Sequence, residues 1–194
     1  EVVDREVSSS SDDGPTLVDT LASLVVGLGD RTGHKVAAVG LGVAGLAHRS
    51  GVVHYSPNLP SLGGFPIGPG LQEALGVPVV VGNDATAGTF AEWRLGAGRD
   101  ADNFAMVTLG TGIGTGFVVD GRLLRGASGF AGESGHMVVD VDGPAHRTGQ
   151  RGPWEYFASG TALDRLGREA AASGEFPWGV AEAGAVDAVA SQHV

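Results

Sequence analysis

The stretch Val77-Pro78-Val79-Val80-Val81-Gly82-Asn83-Asp84-Ala85-Thr86-Ala87 runs from valines through an Asn-Asp pair into alanines. Val77 to Val81, short and almost wholly apolar, suits a buried strand. Ala85 to Leu95, stopped by Gly96 and Gly98, suits a helix. A strand that passes a carboxylate to the start of a helix is the local unit of α/β architecture. Open α/β sheets place their ligands at the carboxyl ends of strands, which is where Asp84 stands. Aspartate is also a good helix N-cap, and the hexapeptide Gly82 to Ala87 alone leaves both roles open. Asn83 beside it can both donate to and accept from a hydroxyl.

Working outward, Val36 to Val43 is a second buried strand and Gly51 to Tyr55 a short one. Thr16 precedes Leu17, Leu21, Leu24 and Val25, one apolar face of a helix ending near Gly29. Pro69 to Leu75 is predicted as a helix closed by Gly76, Glu1 to Val7 as a strand, and Ser8 to Gly14 as a loop. Downstream, Phe104 to Leu109 is a buried strand and Phe117 to Leu124 a hairpin about Asp120-Gly121. Trp154 to Ala172 and Val180 to Gln192 are predicted helical. Strands alternate with helices before Asp100, and strand and hairpin follow. The pattern predicts an α/β fold in two domains, 1–97 and 98–194, with no internal repeat.

Composition narrows the function classes. The net charge is -10 and the only lysine is Lys35, so the surface repels a nucleic-acid backbone. No apolar run reaches the roughly 18 residues of a membrane helix. With no cysteine, disulfides and thiolate metal sites are excluded, and a cytoplasmic protein is expected. The 34 glycines cluster at turns between apolar runs, as turn and phosphate-loop residues do.

Leu109-Gly110-Thr111-Gly112-Ile113-Gly114-Thr115-Gly116 has glycine at every second position between two strands. Such a segment can aim several N–H groups at one point, a nest for a polyphosphate. The alternative is a glycine-rich hairpin without a ligand. Its spacing is not that of a dinucleotide fingerprint, and no Gly-Lys-Ser/Thr of a Walker loop occurs. Gly132-Glu133-Ser134-Gly135-His136, with Trp154-Glu155 and Ser159-Gly160, forms either a polyol-binding set or a solvated loop. Asn58, in the rigid Pro57-Asn58-Leu59-Pro60 loop, either joins that set or stabilises a turn.

In this order, these motifs resemble the ROK family, named for repressors, open reading frames and kinases, and in particular its bacterial glucokinases. The resemblance runs from about Val36 to Leu163. It includes Gly40-Leu41-Gly42-Val43-Ala44-Gly45, Ser56-Pro57-Asn58-Leu59, Gly82-Asn83-Asp84-Ala85, Gly110 to Gly116, Gly132 to His136 and Glu155-Tyr156-Phe157-Ala158-Ser159-Gly160. It implies an actin-like (ribonuclease H-like) two-domain α/β fold with its active site in the cleft. It implies phosphorylation of a hexose, glucose being favoured, with ATP and Mg2+, and Asp84 as the base at the sugar 6-hydroxyl. Asn58, Asn83, Asp84, Glu133, His136 and Glu155 match positions that hold the sugar. Gly110, Thr111, Gly112 and Gly114 match positions that hold ATP phosphates. Sugar and ATP are the implied partners, with a homodimer possible and no nucleic acid or membrane. The alternatives are the sugar-sensing domain of a ROK repressor, or a kinase for another hexose, an N-acetyl amino sugar or a cyclitol.

Two departures stand out. Family kinases usually follow the histidine with a Cys-x-Cys-Gly-x-x-Gly-Cys zinc loop. Here the aligned stretch is His146-Arg147-Thr148-Gly149-Gln150-Arg151-Gly152-Pro153, with the glycines kept and every cysteine replaced. Only His136 and His146 remain as ligands, too few for a structural zinc, so no metal is expected. Ser134 occupies a position that is typically aliphatic. The resemblance also implies an Asp-x-Gly-Gly-Thr phosphate loop upstream of Glu1 and an adenosine-binding segment beyond Val194. The 194 residues alone are therefore expected to turn over little or no sugar.

Overall fold

Three small sheets organise the described residues, and one helix bridges two of them. The computed structural model describes residues 2–11, 13–146 and 148–194. Glu1, Asp12 and Arg147, which belong to the predicted strand 1–7, the loop 8–14 and the stretch 146–153, lie outside the described residues. The elements are α1 (Gly14–Thr32), β1 (Val39–Val43), β2 (Leu46–Ala47), β3 (Val53–Tyr55), α2 (Ile67–Leu75), β4 (Val79–Asn83) and α3 (Asp84–Leu95). They continue with β5 (Phe104–Leu109), β6 (Ile113–Val119), β7 (Arg122–Leu123), α4 (Trp154–Ala158), α5 (Gly160–Ser173) and α6 (Pro177–Ala183).

In the first sheet β1 pairs in parallel with β4, placing Val43 opposite Asn83. The second, a β2–β3 hairpin, stands beside it. Leu17 and Val18 of α1, Ile67 of α2, Val43, Val81, Val53 and Leu62 close the core on this side. Burying each such side chain contributes about 1.5–3 kcal/mol. The third sheet is antiparallel, in the order β5-β6-β7. Helix α3 packs mainly on β6 and β5 while also touching β1 and β4, so it bridges the first and third sheets.

The strand at 104–109 and the helix after Asn83 fall where the sequence predicts them. The Asp120-Gly121 turn joins β6 to β7 with φ of 49° and 66°, the left-handed pair that a tight hairpin requires. Four expectations change. Residues 2–7 form no strand. β6 begins at Ile113 rather than at 117, because Gly114 to Gly116 pair with Thr108 to Met106. The helix predicted over 154–172 breaks at Ser159, whose extended backbone and side chain cap α5, accepting from Ala162 N–H at 3.1 Å. The last predicted helix is displaced to 177–183, starting on Pro177 and stopping at left-handed Gly184.

Candidate functional site

Asn83 is the final residue of β4 and the N-cap of α3. Its backbone is extended, and Oδ1 accepts the Thr86 N–H at 3.0 Å. Its Nδ2 donates to the Gly45 carbonyl at 3.2 Å. The capping role considered for Asp84 therefore belongs to its neighbour. Asp84 is the first helical residue, exposed, and its carboxylate accepts the Ala85 N–H at 2.9 Å. A negative charge is favoured there by the helix dipole. With its cap supplied by Asn83, the Asp84 carboxylate is available for proton transfer. Asn83, with Oδ1 engaged, keeps one N–H for a ligand.

Strand β6 sets the rest of the site. A Cβ on Gly114 would lie 2.7 Å from Ala85 Cβ, and one on Gly116 would lie 2.1 Å from Thr89 Oγ1. These two glycines let α3, and with it Asp84, lie directly on the strand. Against Ile113 and Thr115 lies the segment 132–136. Side chains at Gly132 and Gly135 would each come within 2.4 Å of a β6 carbonyl oxygen, those of Thr115 and Ile113. The strand is thus sandwiched between the helix of Asp84 and the loop of Glu133 and His136.

The glycine-rich segment is a tight turn at 110–112 followed by strand. None of Gly110, Gly112, Gly114 and Gly116 has positive φ; at Gly112, Gly114 and Gly116 the missing side chain serves close approach, while a Cβ on Gly110 would meet nothing within 4 Å. Gly110 N–H donates to Gly112 O at 3.0 Å. Gly114 N–H donates to Thr108 Oγ1 at 3.1 Å. The amides of Thr111 and Gly112 have no internal acceptor among the described residues. The amino terminus of α5 docks on the turn: Gly160 N–H donates to Gly110 O and Thr161 Oγ1 to Thr111 O, both at 2.7 Å. Helix dipole and open amides together make the turn attractive to an anion.

Glu133, His136 and Glu155 gather beside this turn. His136 Nε2 stands 3.8 Å from Glu133 Oε2. Burial pushes the Glu133 carboxyl above the usual carboxylate range, and nearby Asp84 and Glu155 push it further while His136 opposes them. Asp84 therefore shares its neighbourhood with this set across the boundary between the first and third sheets. Glu155, only 9% exposed, lies in the first turn of α4. Its Oε2 accepts the Ile113 N–H at 2.8 Å, an anchor that the bare Cα of Gly112 leaves room for.

The sequence singled out His146 only as the remnant of a metal loop. In the structure its Nε2 lies 3.7 Å from Glu155 Oε1, and its ring meets Tyr156 edge-on at 6.5 Å. No local spacing announces this contact, because the intervening loop sets it. Asn58 is exposed, and its loop nears Asn83 through Gly45, where a Cβ would strike the Tyr55 carbonyl.

The loop after His136 does not fit a structural zinc. His146 Nδ1 is 2.9 Å from Thr148 Oγ1, and no cysteine is present. Among the described residues no three of His, Cys, Asp or Glu converge on a metal position. Backbone bonds close the loop instead: His146 N–H to Gln150 O at 2.8 Å, Gly152 N–H to Pro144 O at 2.9 Å and Trp154 N–H to Met137 O at 2.8 Å. No helix is long and apolar enough to cross a membrane among the described residues.

Comparison with known proteins matches residues 1–190 to the ROK family. The chain is 39% identical over 156 residues to a glucokinase of Streptomyces coelicolor, covering 80% of this chain and 48% of that protein. It is 38% identical over 130 residues to the xylose repressor of Bacillus subtilis, covering 67% of this chain and 34% of the repressor. A crystal structure of a ROK family glucokinase from Streptomyces griseus, in complex with glucose and AMPPNP, matches with a TM-score of 0.81 at 34% identity. That match covers 96% of this chain and 60% of the other. The chain spans about half the length of the curated glucokinase it matches.

Proposed function

Because this chain belongs to the ROK family and has the actin-like α/β fold of its sugar kinases, we propose that it carries the base and sugar shell of an ATP-dependent hexose kinase. The observation that carries this reading is that β6 is packed on one face by α3, which begins at the exposed Asp84 carboxylate, and on the other by the loop of Glu133 and His136, with Glu155 bonded to its Ile113 N–H. Asp84 takes the proton of a sugar hydroxyl, the 6-hydroxyl of glucose in the favoured case. The freed oxygen attacks the γ-phosphorus, and the bond to the bridging oxygen breaks to release ADP. Such transfer needs positioning, charge stabilisation and one base near the nucleophile.

Glu155, Glu133, His136 and the remaining Asn83 N–H supply polar contacts to sugar hydroxyls, with Asn58 reaching in from its exposed loop. The amides of Thr111 and Gly112, with the α5 amino terminus, meet the phosphates. Gly114 contributes by close packing, since its own amide bonds to Thr108. ATP enters with Mg2+, whose charge offsets that of the phosphates. The two halves, 1–97 and 98–194, act as the walls of the cleft, with α3 of the first half packed against β6 of the second.

The similarity to the xylose repressor supports a second reading, a sugar-sensing domain without turnover. A panel of sugars and phosphoryl donors on the full-length parent separates the two. We expect transfer from ATP to a hexose, with the highest kcat/KM on glucose. Sugar binding with no turnover on any pair would instead select the sensor, and transfer to an amino sugar or cyclitol would reassign the acceptor.

A further inference from the structure

Glu133 has a local supporter that the sugar shell does not include. Thr115, on β6, is 2% exposed. Its hydroxyl donates to the Gly132 carbonyl and accepts the Ser134 N–H at 3.2 Å. The Ser134 hydroxyl stands 3.0 Å from the same oxygen. A hydroxyl has one proton and two lone pairs, so these three partners use its full capacity. Two of them are backbone groups of the residues immediately before and after Glu133.

We infer that Thr115 is a positioning residue for Glu133, and that Ser134 completes the clamp. The inference rests on the reading of Glu133 as a sugar contact. The reasoning is electrostatic as well as geometric. Glu133 lies near two other carboxylates, Asp84 of α3 and Glu155 of α4, with His136 as the attractive partner on its own segment. Burial and like charge both favour a loop that swings Glu133 towards water. One buried hydroxyl, fixed to a strand and gripping both flanking residues, opposes that swing. It also gives a physical reason for serine at 134: an aliphatic side chain there would leave the outer lone pair of Thr115 without a donor.

The test uses the full-length parent with glucose and ATP, and Thr115→Val, Thr115→Ser, Ser134→Ala, Glu133→Gln and the Thr115→Val/Glu133→Gln double variant. Valine keeps the shape and removes the hydroxyl. Orphaned buried polar groups are costly, so we expect Thr115→Val to raise the sugar KM by about tenfold with kcat changed less than about twofold. Thr115→Ser should restore most of the loss. The double variant should bind sugar no more weakly than Glu133→Gln alone, because Thr115 acts through Glu133.

An unchanged KM in Thr115→Val, or losses that simply multiply in the double variant, overturns the clamp. An unchanged KM in Glu133→Gln overturns it in a different way, by removing Glu133 from the sugar shell. If Thr115→Val does not fold, Ser134→Ala decides. A KM raised about threefold supports the clamp, and an unchanged one rejects it.

Discussion

The two faces of strand β6 position the two halves of the site by opposite means. Towards α3 the strand shows Gly114 and Gly116, and the helix carrying Asp84 settles into the space that missing side chains leave. Against the segment 132–136 it sets Ile113 and Thr115, which work through polar groups: the Ile113 amide holds Glu155, and the Thr115 hydroxyl grips the flanks of Glu133. A packed face tolerates no added atom. A hydrogen-bonded face tolerates change of shape but not loss of a donor or acceptor. The proposed base is therefore expected to respond to volume, and the proposed sugar shell to polarity.

The largest effect expected on this contrast is steric. Gly116→Ala places a methyl 2.1 Å from Thr89 Oγ1, on a fully buried residue whose hydroxyl already donates to Ala85 O at 2.7 Å. Overpacking of this kind costs about 1–3 kcal/mol, measurable by denaturant unfolding. Thr89→Ala should relieve part of that penalty, so the double variant is less unstable than the sum. Strict additivity would show that α3 and β6 do not touch as described.

On the polar face, Glu155→Gln keeps an acceptor for Ile113 N–H but removes the charge. The loss should appear as a sugar KM raised about fivefold to tenfold at nearly constant kcat, since bonds to a charged partner are stronger by about 1 kcal/mol. An unchanged constant would take Glu155 out of the sugar shell.

The smallest effect is on stability and depends on pH. A carboxyl whose folded pKa is raised favours the fold when protonated, and that advantage is lost as pH rises through the folded value. At neutral pH the charged Glu133 therefore works against folding, and Glu133→Gln should raise Tm. Near pH 4, about the ordinary glutamate pKa and lower, parent and variant should converge. A Tm difference independent of pH would show that Glu133 is not strained by burial and its neighbours.

Much of this arrangement was legible in the chain. The valine run before Asn83-Asp84 and the glycines after Leu95 located β4 and α3, because apolar continuity and helix stops are local signals. The ordered motifs carried the family and fold, which the comparisons support at TM-score 0.81. Less legible was the division of labour between Asn83 and Asp84. Either residue can cap a helix, and only the extended backbone at 83 assigns the cap. The alternate glycines suggested a phosphate nest, yet their negative φ and tight contacts show that two of them serve the α3 interface. The contact of His146 with Glu155 and the Thr115 clamp join segments 9 and 17–19 residues apart through loop geometry, which no periodicity encodes.

The most direct test of the account is the turnover of the full-length Asp84→Asn variant, measured beside its sugar affinity. Asparagine preserves size and hydrogen bonding at the α3 terminus but cannot take the proton. The account predicts a kcat lowered by about 10²–10⁴-fold with sugar affinity changed little. Near-parental kcat would contradict it, because the base would then lie elsewhere.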